Sequence, residues 1–151
     1  MSIKINFKNN LSKAASANLV LFTDEKFNTR RLIKYISNSE LNYISDLLKT
    51  SDLSKNIFVF ELSSKKKIVL LSIKKNLKTF EIENLGAEFY GRINYGKNSE
   101  YFINPESIVS NQKNFIDFFL HGLKLKSYEF KKYKTKKETR LISIKILGKK
   151  N

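Results

Sequence analysis

Apolar residues recur along this chain at two spacings, every second position or every third to fourth, and each spacing predicts a different element. Ile3, Ile5 and Phe7 alternate with polar neighbours and predict a strand over 3–7. The run Asn18-Leu19-Val20-Leu21-Phe22 predicts a second, more buried strand, ended by the polar turn residues Thr23, Asp24 and Glu25. Residues 26–37 fit no single template, although Leu32, Ile33 and Ile36 would suit one helical face. A clearer helix follows, capped by Asn38 or Ser39, with Leu41, Ile44, Leu47 and Leu48 in one stripe. Two apolar runs, 57–62 and 67–73, come next, parted only by Ser63-Ser64-Lys65-Lys66. So short a link predicts a hairpin, and the near-continuous second run suits a central strand covered on both faces.

The second half repeats the alternation of helix and strand. Thr79 is a natural cap, with Glu81 and Glu83 placed to complement the dipole of the helix behind it. Ile82, Leu85, Gly86, Phe89 and Ile93 make one core-facing stripe, and Glu88 and Arg92 are spaced as an i, i+4 pair. Asn94-Tyr95-Gly96-Lys97-Asn98 closes that helix, and 100–103 reads as a short strand broken by Asn104-Pro105. A last helix is expected from about Gln112 to Phe130, its buried face made by Phe115, Ile116, Phe119 and Leu123. A basic connector over 131–140 then leads to a final alternating strand, 141–147. Strands interleaved with helices predict an α/β protein, a three-layer α/β/α sandwich on a mixed, mostly parallel sheet. With no change of composition along its length, the chain is expected to be a single domain over 1–151.

Composition narrows the chemistry. There is no cysteine, hence no disulfide, no thiolate nucleophile and no thiolate metal site. No apolar run approaches the roughly 18 residues that span a bilayer, and the first residues lack a signal peptide's apolar region. A cytoplasmic protein without a membrane partner is expected. The net charge is +15, and eleven basic against two acidic side chains in 124–150 place nine of those charges there. Such clustering is the footprint of phosphate binding, and Lys131, Lys132, Lys136 and Lys137 are the candidate nucleic-acid contacts. Against that reading, Lys far outnumbers Arg, the residue that forks onto phosphate and guanine. The chain is also rich in Asn, Ile, Phe and Tyr, residues of AT-rich codons that bring Lys with them.

No catalytic constellation stands out. His121, the one histidine, has Asp117 four residues before it, so a carboxylate could orient an imidazole base there. Asn114, Lys124 and Tyr128 complete the same polar stripe, which reads better as a solvated face, and no nucleophile or metal cluster accompanies it. The fourteen acidic residues are scattered, and the five glycines form no phosphate-cradling pattern. Ser63-Ser64 with Lys65-Lys66-Lys67 reads as a hairpin turn before it reads as a phosphate-contacting loop.

One segment is sharper. In 119–137 a glycine, a leucine, three aromatics and a lysine recur in the pattern Gly122-x-x-Leu125-x-x-Tyr128-x-Phe130-x-x-Tyr133-Lys134-Thr135-Lys136-Lys137. Gly122 permits close approach of another element, and Tyr128, Phe130 and Tyr133 could carry the chain off the helix with their rings buried. The pattern resembles the end of the N-terminal domain in the leucyl (cytosol) aminopeptidase family. The order of elements before it is compatible, so the resemblance covers essentially the whole chain, though it is specific only around 119–137.

In that family the N-terminal domain is a mixed α/β sandwich, similar to macro domains, and is not the catalytic part. Two divalent metals, Zn or Mn, and the peptide-cleaving residues belong to a larger C-terminal domain with an Asn-Thr-Asp-Ala-Glu-Gly-Arg signature. The 151 residues hold no such signature. No catalytic, cofactor or metal-binding residue carries over, and no activity is expected of this chain alone. What the resemblance implies is a structural role for Gly122, Leu125, Tyr128, Phe130, Tyr133 and Lys134. It also implies assembly with an aminopeptidase catalytic domain or into a homo-oligomer, a hexamer in full-length members. Some bacterial members bind DNA as well. The alternative is a free-standing nucleic-acid-binding module using 124–150; a small-molecule-binding macro-like domain rests on fold analogy alone.

Overall fold

A computed structural model describes residues 2–8, 18–52, 54–63, 66–74, 76–93, 99–108, 114–133 and 141–147. Among the described residues there are six strands: β1 (Ser2–Lys8), β2 (Asn18–Asp24), β3 (Ile57–Ser63), β4 (Lys66–Ile73), β5 (Ser99–Ile103) and β6 (Leu141–Leu147). The same residues include three helices, α1 (Asn38–Lys49), α2 (Thr79–Ile93) and α3 (Phe115–Tyr133), with short 3-10 turns at Arg30–Lys34 and Pro105–Ser107. The strands form one sheet in the order β1-β6-β5-β2-β4-β3. All neighbours are parallel except β3, which runs antiparallel to β4 as the short link predicts.

Period-two alternation distributes the apolar side chains between two cores. Val20 and Phe22 of β2, Val69, Leu71 and Ile73 of β4, Tyr101 and Ile103 of β5, and Ile142, Ile144 and Ile146 of β6 face α2 and α3. The intervening Leu19, Leu21, Ile68, Leu70 and Phe102 face the other way, onto α1 and the first 3-10 turn. β2 and β4 are thus covered on both sides, the reason they read as continuous apolar runs. On β6 the intervening Lys145 instead lies 5.8 Å over the Phe102 ring and 3.5 Å from Glu100.

Several element ends differ from expectation, each for a local reason. Ser37, not Asn38 or Ser39, caps α1: its side chain accepts from the Glu40 amide while Glu40 Oε1 accepts from the Ser37 amide. That is a capping box, and Ile36 and Leu41 on either side of it share one apolar cluster, as in a hydrophobic staple. Ile36 is fully buried and completes the stripe of Ile44 and Leu48, whereas Leu47 is more than one-third exposed. Thr79 is the first helical residue of α2, and Lys78 holds the cap position, its amide donating to Glu81 Oε1. The expected stripe of α2 is buried throughout, with Tyr90 added to it. α3 begins after Asn114, at φ 62, and runs on through Tyr133, so 131–133 of the expected connector are helical. Residues 64–65 of the hairpin link, 94–98, and 134–140 of the connector lie outside the described residues.

The layer of α2 and α3 is held unusually close. A Cβ on Gly86 would overlap the Phe119 carbonyl oxygen, and one on Gly122 would stand 2.7 Å from the Glu83 Cα. The two helices therefore meet backbone to backbone, each through its own glycine. Phe89, Phe119 and Phe115 pack beneath them with Phe22.

Candidate functional site

In an open parallel sheet, ligands bind beyond the carboxyl ends of the strands, where neighbouring strands send the chain to opposite layers. β2 is such a place here. It hands the chain to the α1 layer, while β4 and β5 on either side of it lead to α2 and α3. A crevice of about 330 Å³ opens at that point, floored by Phe22, Leu32 and Ile73.

Its walls are built by side chains that close backbone turns. Asp24 Oδ1 accepts from the amides of Lys26, at 3.1 Å, and Asn28, at 3.0 Å, and Asn28 Oδ1 accepts from the Arg30 amide. This winds the loop tightly enough to put Phe27 at φ 55, a conformation unfavourable for a bulky residue. Burial of its ring, edge-on to Phe58 at 5.1 Å, offsets that strain. On the opposite wall the Ser107 hydroxyl accepts from the Phe22 amide at 3.0 Å and donates to the Asn104 carbonyl at 2.7 Å. The ladder between β2 and β5 ends at Val20 and Ile103, and Ser107 supplies the partner that Phe22 would otherwise lack.

The rim carries both signs of charge: Asp24 and Glu25 beside Lys26 and Arg31. Tyr35 also lines the crevice. Burial pushes its phenol above the usual range, the negative charge of Glu106 adds to that, and Arg31 partly offsets it. Its hydroxyl therefore remains a neutral donor well above neutral pH. A smaller crevice of about 200 Å³ lies between the carboxyl end of β4 and the first turns of α2, lined by Lys74, Glu81, Asn84 and Glu88 among others.

The residues singled out in 119–137 lie elsewhere, on α3. Gly122 is buried at the crossing with α2. Leu125 and Tyr128 are 48% and 64% exposed, so Tyr128 belongs to the solvated stripe expected with Lys124 and its ring is not buried. They continue a stripe that starts at His121, at spacings of four and three. His121 is paired across the helix layer with Glu83 of α2, Nδ1 to Oε2 at 2.5 Å, and not with Asp117 one turn away. Glu83 thus serves a contact between helices where dipole complementation was expected. Phe130, Lys131, Lys132 and Tyr133 belong to α3 by backbone, and their side chains lie outside the described residues, as do Lys134, Lys136 and Lys137 entirely.

The crevice residues escaped sequence reading. Asp24 and Glu25 read only as polar turn formers, and Arg31 and Tyr35 fell in the ambiguous stretch. The available signal was position, directly after an apolar strand that both neighbours flank, and that requires the strand order.

No protein-family model matches the sequence, and no curated protein matches it. Solved structures do match the fold. A tomato leucine aminopeptidase mutant overlays 97% of this chain and 32% of its own, with a TM-score of 0.58 and 14% identity. The macrodomain of Thermus aquaticus DarG overlays 98% of this chain and 100% of its own, with a TM-score of 0.55 and 12% identity. The chain spans about a third of the tomato enzyme's length. Among the described residues no helix is long and apolar enough to cross a membrane. The fold is therefore a macrodomain-like α/β/α sandwich, similar to both a free macrodomain and part of a leucine aminopeptidase.

Proposed function

We propose that this chain is a non-catalytic N-terminal domain of leucyl aminopeptidase type. Its role is to assemble with, or regulate, the two-metal catalytic part that removes N-terminal residues from peptides. The observation that carries the reading is the exposed stripe on α3. Gly122 is consumed in packing against α2, but Leu125 and Tyr128, the next positions of the same pattern, contribute little to the core of this chain. Large apolar side chains left in water one turn apart suit a partner's surface. The overlay on part of the tomato enzyme supports the same reading.

The macrodomain likeness favours a nucleotide ligand less. A pyrophosphate cradle needs successive backbone amides that glycines let approach closely. The described turn after β5 is instead Asn104-Pro105-Glu106-Ser107, without glycine and with an acid. The basic segment favours nucleic acid by charge alone, and the side chains of 131–140 lie outside the described residues.

The test mixes this chain with a two-metal aminopeptidase catalytic chain from the same cell and follows size-exclusion elution. Co-elution is expected, weakened about tenfold by Leu125→Asp or Tyr128→Asp, since truncating one central apolar anchor costs on the order of 1–2 kcal/mol. Failure to co-elute, or peptidase activity from this chain alone with added Mn²⁺ or Zn²⁺, would sink the proposal.

A further inference from the structure

The crevice beyond β2 has a chemistry that the assembly role leaves unused. Its floor is apolar, with Phe22, Leu32 and Ile73 nearly or fully buried yet opening onto it. Its charged rim is not neutralised from within. Among the described residues no ion pair or side-chain hydrogen bond engages the Arg31 guanidinium, the Lys26 ammonium or the Glu25 carboxylate. Asp24, also at the rim, spends one carboxylate oxygen on two backbone amides. Glu106, which does not line the crevice, acts electrostatically on Tyr35. In a protein of net charge +15, this mouth is conspicuously balanced.

Balance of sign selects the ligand. A pyrophosphate would meet as many carboxylates as cations and gain little, because like charges brought together at a site act against binding. A zwitterion satisfies both signs at once. The volume of about 330 Å³ lies at the low end of ligand pockets, which limits the occupant to a small molecule. We propose that this crevice binds a free α-amino acid with an apolar side chain. Its carboxylate lies toward Arg31 and the neutral Tyr35 hydroxyl, its ammonium toward Asp24 and Glu25, and its side chain on the Phe22, Leu32 and Ile73 floor. This goes beyond the assembly role and does not depend on it, because the site is complete within the chain.

The experiment titrates the purified chain with L-leucine, L-leucinamide, N-acetyl-L-leucine and ADP-ribose, read by calorimetry and by amide chemical shifts of 22–35. L-leucine should bind saturably. The amide and the N-acetyl compound, each lacking one charge, should each bind about tenfold or more weakly, the usual loss when a charge-assisted bond goes unmade. Arg31→Gln should weaken L-leucine to the same degree without moving the melting temperature. Asp24→Asn should do so with the loop intact, because the amide oxygen can still accept from the Lys26 and Asn28 amides. Saturable ADP-ribose binding in the same place, equal binding of all three leucine compounds, or no saturable response to L-leucine would each overturn the proposal. None of these outcomes bears on co-elution with a catalytic chain, so the two proposals fail separately.

Discussion

Replacing Gly122 by Ala adds one methyl where two helices already touch through their backbones. The new Cβ would stand 2.7 Å from the Glu83 Cα and 2.5 Å from its carbonyl carbon, against a comfortable separation of roughly 3.5–4 Å. No rotamer relieves a Cβ, and the obstructing atoms are main chain, so α2 and α3 must part by about 1 Å. A gap of that size forfeits a quarter to a half of each dispersion contact across it. Phe89, Phe119 and Leu123, fully buried in that layer, lie where those contacts are made. Overpacking of this kind costs about 3 kcal/mol at the upper end of its range. Alanine returns about 1 kcal/mol of helix propensity, leaving a net loss of about 2 kcal/mol.

Gly91 supplies the control. It lies in the same layer, on α2, and a Cβ there meets nothing within 4 Å. Gly91→Ala should therefore stabilise by up to about 1 kcal/mol through propensity alone. Urea unfolding followed by far-ultraviolet circular dichroism measures both variants. At this chain length the Gly122 variant should melt about 4–8 °C below the wild type. If both substitutions stabilise, the helices are not in backbone contact and the packing argument is wrong.

Two carboxylate contacts make separate predictions. Glu40, at the start of α1, lies 2.8 Å from Lys66 of β4 with both side chains mostly buried. Burial alone would raise its pKa, but hydrogen bonds from Lys66 and from the Ser37 amide and hydroxyl outweigh that and hold it below its ordinary value of 4.5. A depressed carboxylate contributes stability that is fully present above its unfolded pKa and lost as pH falls through the folded one. Glu40→Gln should thus cost about 1–2 kcal/mol at pH 7, with the difference closing as pH falls below the ordinary value of 4.5. A difference independent of pH in urea melts would refute the linkage. The Glu83–His121 pair is more exposed, at 26% and 59%, and a double-mutant cycle should return about 0.2–1 kcal/mol, reduced by salt. A larger coupling of His121 to Asp117 than to Glu83 would mean that the pair across the helices is not the operative one.

Much of the fold was legible because strand and helix periods differ and few segments satisfy both. β6 was legible to the residue, since Ile142, Ile144 and Ile146 alternate with Ser143 and Lys145 and a basic run precedes them. The hairpin of β3 and β4 was legible from link length alone. Helix starts were less so, because several polar residues near each start can cap. Ser37 prevails over Asn38 and Ser39 because only from Ser37 does Glu40 fall at the third helical position, where it can reach back. Lys78 holds the cap of α2 for the same reason, Glu81 answering its amide even though Thr79 carries the better capping side chain.

Contacts between elements were legible only by half. A glycine inside a helix announces that something approaches, and Gly122 reads that way, whereas Gly86 reads only as part of a core-facing stripe; neither names its partner. That partner follows from strand order, because only β4-to-β5 and β5-to-β6 connections on one face bring α2 beside α3. The same gap hid the crevice. Asp24, Arg31, Tyr35 and Ser107 are separated by up to 83 positions and share no motif; what unites them is that β2 lies between β4 and β5. A site at a topological switch point is a property of the sheet's order, and it leaves only polar residues after an apolar run as its trace in the chain. Charge has the converse behaviour. The basic excess of 124–150 is plain in the sequence and distant from the crevice along the chain. The near-neutral mouth, where a ligand would be selected, contributes almost nothing to the net charge. For this protein the balance of charges around one cavity therefore says more about a small ligand than the total does.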